Sequence, residues 1–201
     1  MRVIALLLSL GCLCTSHPAR AAGDQDLWRG KVKTDRSIRI ERVVEAPADK
    51  VYQLWMSAEG IRSFFAPAAR VEPVVGGRYE LMFDPEHDPD GERDGTKGAR
   101  ILAIEPNRFL AFEWRGRQNM VEMNAQPLPT WVELHFAPVV GERGSTRISL
   151  EHYGFGTGGT WEEAYVFFQN AWKSVMGALE QRCLHLGGVA APSKKTDVST
   201  R

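Results

Sequence analysis

The sequence predicts an α+β domain in which a run of antiparallel strands lies against one long C-terminal helix. Three observations carry that expectation. Residues 37–45 alternate as a strand does and are followed at once by two short helical patterns; five or six further alternating segments follow with no helix among them; and the last patterned stretch is a continuous apolar stripe at helical spacing. Strands grouped together, with helices kept to the two ends of the run, give the segregated arrangement of an α+β fold.

In chain order, Ile38, Ile40 and Val44 share one parity and predict the first strand. Pro47 suits the opening of a helix reaching about Met56, because its fixed φ fits the first turn and the N–H it lacks would be unbonded there anyway. Ser57 predicts the N-cap of a second short helix ending near Phe65. Strands are predicted over 69–75, 78–84, 98–105, 108–115, 130–139 and 145–153, with Gly76-Gly77 and Pro106-Asn107 as tight turns. Thr160 and Glu163 have capping-box spacing and Gly187-Gly188 make a stop, so the last helix should run about 26 residues, roughly 39 Å at ~1.5 Å per residue. Its apolar stripe is Trp161, Ala164, Tyr165, Phe168, Ala171, Trp172, Val175, Ala178, Leu179, Cys183 and Leu186. Such a face must be buried. The matching surface is one parity of the strands: Tyr79, Leu81 and Phe83; Leu110, Phe112 and Trp114; Val132, Leu134 and Phe136; Ile148 and Leu150.

The ends of the chain read differently. Arg2, the apolar run from Val3 to Cys14, too short to span a bilayer, and Ala19-Arg20-Ala21 predict a signal peptide over residues 1–21. Cys12 follows Gly11 as a lipoprotein site would require, but Ser9 and Leu10 are in the wrong order for it, which favours cleavage after Ala21. Residues 22–36 and 189–201 are polar and unpatterned and are expected to be a flexible segment and a disordered tail around a domain at 37–188. Removing 21 of 201 residues leaves 180 and takes Arg2 and Arg20 from a balance of 25 basic and 25 acidic residues, for a net charge of −2. That balance gives no reason to expect nucleic acid or an anionic membrane as a partner, and no membrane insertion is expected after cleavage. Cleavage also leaves Cys183 as the sole cysteine, so no internal disulfide supports the fold in an oxidising compartment such as the periplasm.

Gly154, Gly156 and Gly159 have the G-x-G-x-x-G spacing of a dinucleotide loop. That motif needs a second strand beyond its helix, and here one helical pattern and a tail finish the chain. The preceding residues alternate, as a strand with one wet face does, and Glu162 and Glu163 already complement the helix dipole a phosphate would use. The glycines are expected to make a flexible strand-to-helix connection.

An ordered series of residues also resembles a known superfamily. It comprises Arg42, Ala46-Pro47, Val51 and Trp55; Gly76-Gly77; Gly98 and Glu105-Pro106 in GARILAIEP; Thr146 in GSTRISLEHYGF; and Trp161, Phe168, Ala171-Trp172 and Leu179. The series is similar to the helix-grip fold of the START-like or SRPBCC superfamily, in the branch of the heat-shock protein 90 ATPase activator. The resemblance covers about residues 38–188 and is most specific over 152–179. It implies a curved antiparallel sheet wrapped around the long helix, an apolar cavity between them for a small hydrophobic molecule, and no shared catalytic set or cofactor.

The residues expected to line such a cavity are Tyr165, Phe168 and Trp172 from the helix, Tyr79, Phe112 and Trp114 from the sheet, and His152 where the last strand meets the glycine loop. An empty dry void of ~300 Å³ would cost on the order of 7 kcal/mol, so a cavity of that size is expected to be occupied or wet. The same aromatics could instead close into solid core. Arg42 could reach inward to a ligand carboxylate, or a bulge at Val43-Val44 could turn it out to solvent, which the sequence favours. His152 could act as a general base, though a lone histidine at a strand end is more often a hydrogen-bonded core or rim group.

Glu86, Asp88 and Asp90-Gly91 imitate the start of a calcium loop, but Lys97 stands where the closing glutamate belongs, so residues 84–95 are expected to form an exposed acidic hairpin. His87, His135 and His185 have no metal-ligand spacing, and no metal site is expected. The functional expectation is an exported domain binding a small hydrophobic ligand. The alternatives are a cyclase or hydrolase using the same cavity and a protein-interaction module like the chaperone activator, which export would separate from its cytosolic partner.

Overall fold

The computed structural model describes residues 36–186. The expected signal peptide, most of the segment after it, the Gly187-Gly188 stop and the tail lie outside those residues. Within them the order is β1 (Ile38–Val44), α1 (Ala48–Trp55), α2 (Ala58–Arg62), β2 (Ala68–Val71), β3 (Tyr79–Met82), β4 (Ile101–Glu105), β5 (Phe109–Trp114), α3 (Val121–Asn124), β6 (Thr130–Pro138), β7 (Thr146–Tyr153) and α4 (Thr160–Leu186). The chain is the α+β fold expected, except for α3, which the sequence pattern did not show.

The main sheet is antiparallel in the order β1-β7-β6-β5-β4, with β2 and β3 forming a separate hairpin. The hairpin joins the sheet through a bridge between Arg78 and Arg100, with the Tyr79 N–H donating to the Ala99 carbonyl at 2.8 Å. First and last strands are therefore neighbours, pairing Ile38 with His152 through to Val44 with Thr146. That register is unbroken, so the bulge expected at Val43-Val44 is absent. Arg42 is exposed nonetheless, with Nη1 donating to the Glu41 carbonyl at 3.0 Å. On an edge strand a long side chain can leave the inner face past the edge while its head stays in water.

Local chemistry sets the helix starts. Pro47 is the N-cap of α1 in extended conformation, and Ser57 caps α2, its side chain accepting from the Gly60 N–H at 3.0 Å. Asn107, with φ of 62°, takes the left-handed position that turns β4 into β5. The capping box expected at α4 is replaced: Thr160 is its first residue, and both its N–H and its hydroxyl donate to Glu122 Oε2 of α3 at 2.6 Å. Those bonds, the hydroxyl's first, hold the Glu122 carboxyl below its usual pKa.

The glycine connection is packed. Phe155 is fully buried, and a Cβ at Gly156 would lie 2.6 Å from the Trp161 indole nitrogen. Gly154 has φ of 91°, so one glycine is needed for conformation and the other for a close approach. The core lies between the inner face of the sheet and α4, whose buried line is Trp161, Ala164, Phe168, Trp172, Met176, Leu179 and Cys183. Met176 belongs to that line although the predicted stripe omitted it, and Ala171 and Val175 flank it. Burial pushes the Cys183 thiol up to about 11, as expected for a structural cysteine.

Candidate functional site

Beside the middle of α4 lies a partly open cavity of about 390 Å³. One wall is the helix, through Phe167, Phe168, Ala171, Trp172 and Val175. The opposite wall is Trp114 at the end of β5, Phe83 just after β3, and Phe65 in the turn after α2. Phe65 stacks on Trp114 at 5.8 Å with planes 5° apart, and Trp114 meets Trp172 at 4.8 Å. Phe83 and Phe167 are 38% and 39% exposed, so the aromatic lining reaches solvent at the mouth. Asp84, Asp94, Arg115 and Arg117 complete that mouth.

Of the residues expected to line a cavity, the structure brings Trp114, Phe168 and Trp172 to this one. The other four lie elsewhere. Tyr79 and Phe112 are fully buried and stacked at 4.2 Å, with the Tyr79 hydroxyl donating to the Trp55 carbonyl at 3.0 Å. Trp55 of α1 and Ile61 of α2, both without exposed surface, fill that end of the sheet. Burial raises the Tyr79 phenol well above its ordinary pKa. Tyr165 sits near the start of α4, its hydroxyl donating to the Ser37 carbonyl at 3.1 Å and its ring covered by the Arg36 guanidinium at 3.9 Å.

His152 is behind the wall and has no exposed surface. Trp172 Nε1 donates to its Nδ1 at 3.0 Å, so the proton of the neutral ring sits on Nε2. Nε2 donates to Thr130 Oγ1 at 2.9 Å, and that hydroxyl donates to the Trp114 carbonyl at 3.0 Å. The chain of bonds thus ties two walls of the cavity together through a buried imidazole. Desolvation holds its pKa well below the ordinary value, so it stays neutral. A sealed imidazole whose acceptor nitrogen is already occupied has no route to a substrate proton; it holds the Trp172 indole directly and, through Thr130, the backbone of β5 at Trp114.

Sequence reasoning missed Phe65, Phe167, Arg115 and Arg117. Phe65 falls at the end of the second predicted helix, where the pattern assigns no face, and Phe167 falls outside the buried stripe, which is where a wall open to solvent must be. The two arginines in WRGR leave the end of a predicted strand together, and that pairing was the available signal. The acidic segment is also more ordered than a free hairpin. Asp88, 6% exposed, accepts from the N–H groups of Glu92, Arg93 and Asp94 at 2.9 to 3.0 Å, and these bonds, Asp94's foremost, hold its carboxyl low. Oxygens engaged in this way are poorly placed for calcium, and among the described residues no group of three metal-ligating side chains converges.

The sequence family described as Activator of Hsp90 ATPase homolog 1-like protein matches residues 45–183, more than two thirds of the chain. The protein belongs to this family. Its fold is shared with several solved structures. It is similar to a protein from Mesorhizobium loti, at 21% identity and a TM-score of 0.59 over 75% of this chain and 98% of that one. It is likewise similar to the Aha1 dimer from Colwellia psychrerythraea, at 15% identity and 0.56 over 77% and 99%. An HSP90 activator from Plasmodium falciparum matches at 16% identity and 0.54 over 75% and 96%. No curated protein sequence matches the chain.

Proposed function

We propose that this protein is an exported binding domain that holds a small hydrophobic ligand in the cavity beside α4. The observation that carries the reading is the preformed cleft of about 390 Å³ with walls of Trp114, Phe168, Trp172 and Phe65. Its size falls within the ~300–1,000 Å³ range of small-molecule sites. Water resting on aromatic walls is released when an apolar body replaces it, at ~25 cal/mol per Å² buried.

Binding is favoured over catalysis because, among the described residues, no pair of free titratable groups faces the cavity. His152 is sealed and neutral, Asp84 accepts from His87, and Asp94 is held by Arg117. Native mass spectrometry of protein purified from its own host tests the reading. A co-purifying small molecule, released on denaturation and lost when Trp172→Ala is purified in parallel, is the expected result; bare protein that also fails to bind any apolar dye overturns it. Export is tested separately by N-terminal sequencing from a Gram-negative host. A periplasmic product beginning at Ala22 is expected, and a cytosolic product retaining Met1 would revive the chaperone-type alternative.

A further inference from the structure

We infer that the ligand is an amphipathic anion, an apolar or aromatic body carrying one carboxylate, sulfonate or phosphate-like group that docks on Arg115. This rests on the cavity being a binding site and adds the class of molecule it takes.

Four charged residues line the mouth, and three already have partners. Arg117 reaches Asp94 at 3.4 Å and lies over the Phe167 ring at 5.6 Å. Asp84 is engaged by His87, by the ring at 3.0 Å and the backbone N–H at 3.3 Å. Arg115 differs. It is half-buried, Nη1 donates to a neutral group, the Lys97 carbonyl, at 3.0 Å, and no carboxylate of the described residues forms an ion pair with it. A guanidinium offers five N–H donors in a rigid fork matched to two-oxygen anions, so most of this fork is open to a guest. A cation partly withdrawn from water gains most from an anionic partner. Arg115 follows Trp114 directly as β5 ends, which places the charged head of the site beside its aromatic floor. Among the described residues a cationic guest has no equivalent seat, because both mouth carboxylates already accept from neighbours.

Two dyes with a common ring skeleton separate the apolar contribution from the charge: anilinonaphthalene sulfonate, which is anionic, and phenylnaphthylamine, which is neutral. Fluorescence titration of the purified protein should show both binding and displacing each other, with the sulfonate at least about tenfold tighter. Arg115→Gln should bring the sulfonate to about the affinity of the neutral dye while leaving the neutral dye unchanged, which also shows that the variant is folded. Arg115→Lys, which keeps the charge without the fork, should hold an intermediate preference. Equal affinities in the parent, a sulfonate preference surviving Arg115→Gln, or a loss in Arg115→Lys as complete as in Arg115→Gln would each overturn the inference while leaving the cavity intact as an apolar site. Failure of both dyes to bind the parent would remove the cavity reading, and this inference with it.

Discussion

The aromatic inner face of the sheet has two ends built from the same kinds of residue and finished in opposite ways. At one end Tyr79 and Phe112 stack at 4.2 Å and are sealed under Trp55, with no exposed surface on any of the three. At the other end Trp114, Trp172 and Phe168 leave about 390 Å³ between them, and Phe83 and Phe167 stay partly in solvent. What separates the ends is the covering element. Helices α1 and α2 lower Trp55 and Ile61 onto the closed end, whereas the open end has only the Phe65 ring and the charged mouth above it. Aromatic surface alone therefore does not decide between core and cavity; the neighbour that does or does not arrive decides it.

Substitution on each side should make the contrast measurable. The largest effect is expected at the closed end, where Phe112→Ala should cost about 3 to 5 kcal/mol in denaturant unfolding, the range for a packed phenylalanine. Phe168→Ala, at a wall that already faces space, should cost less than ~3 kcal/mol and should change the affinity of a neutral apolar dye, which Phe112→Ala leaves alone if the variant stays folded. Equal losses, with dye affinity untouched by Phe168→Ala, would erase the distinction between the two ends.

A smaller effect is expected at His152. His152→Phe strands the Trp172 indole N–H in a buried setting, for a loss of about 1 to 3 kcal/mol. Its pH dependence is more telling than its size. In the folded protein the imidazole stays neutral, while in the unfolded chain it takes up a proton below its ordinary value near 6.5. The stability it contributes is thus complete above pH 6.5 and declines as pH falls below it, by up to ~1.4 kcal/mol per pH unit for one proton. The variant should lose that slope. Unfolding curves from pH 7 to 5 that keep the same slope in both proteins would place the proton elsewhere.

The architecture was legible in the sequence because its signals are local and repeated: alternation on the strands, the stripe on α4, Ser57 and Pro47 at helix starts. What escaped was set by partners distant in sequence. Helix α3 has four residues and no period of its own, and it exists beside α4 because Glu122 takes the Thr160 donors. The stripe named Trp172 and Phe168, but nothing in it told which residue would donate to His152 or which would face a gap. The bond was fixed by the approach of β7 to α4, and the gap by where α1 and α2 come to rest. Arg42 shows the reverse case, in which exposure was expected for the wrong reason, since the strand end and the reach of the side chain suffice without a bulge.

The first described residues are fastened to the beginning of α4: Arg36 pairs with Glu162 at 2.6 Å and Ser37 accepts from Tyr165. The described chain leaves at Leu186, the far end of a helix of 27 residues, or roughly 40 Å of travel. Ser37 and Leu186 therefore lie near opposite ends of α4, with the cavity mouth near its waist. A donor placed at Ser37 and an acceptor at His185 would stand on either side of that mouth, near the two ends of α4, and form a built-in ruler of the folded state.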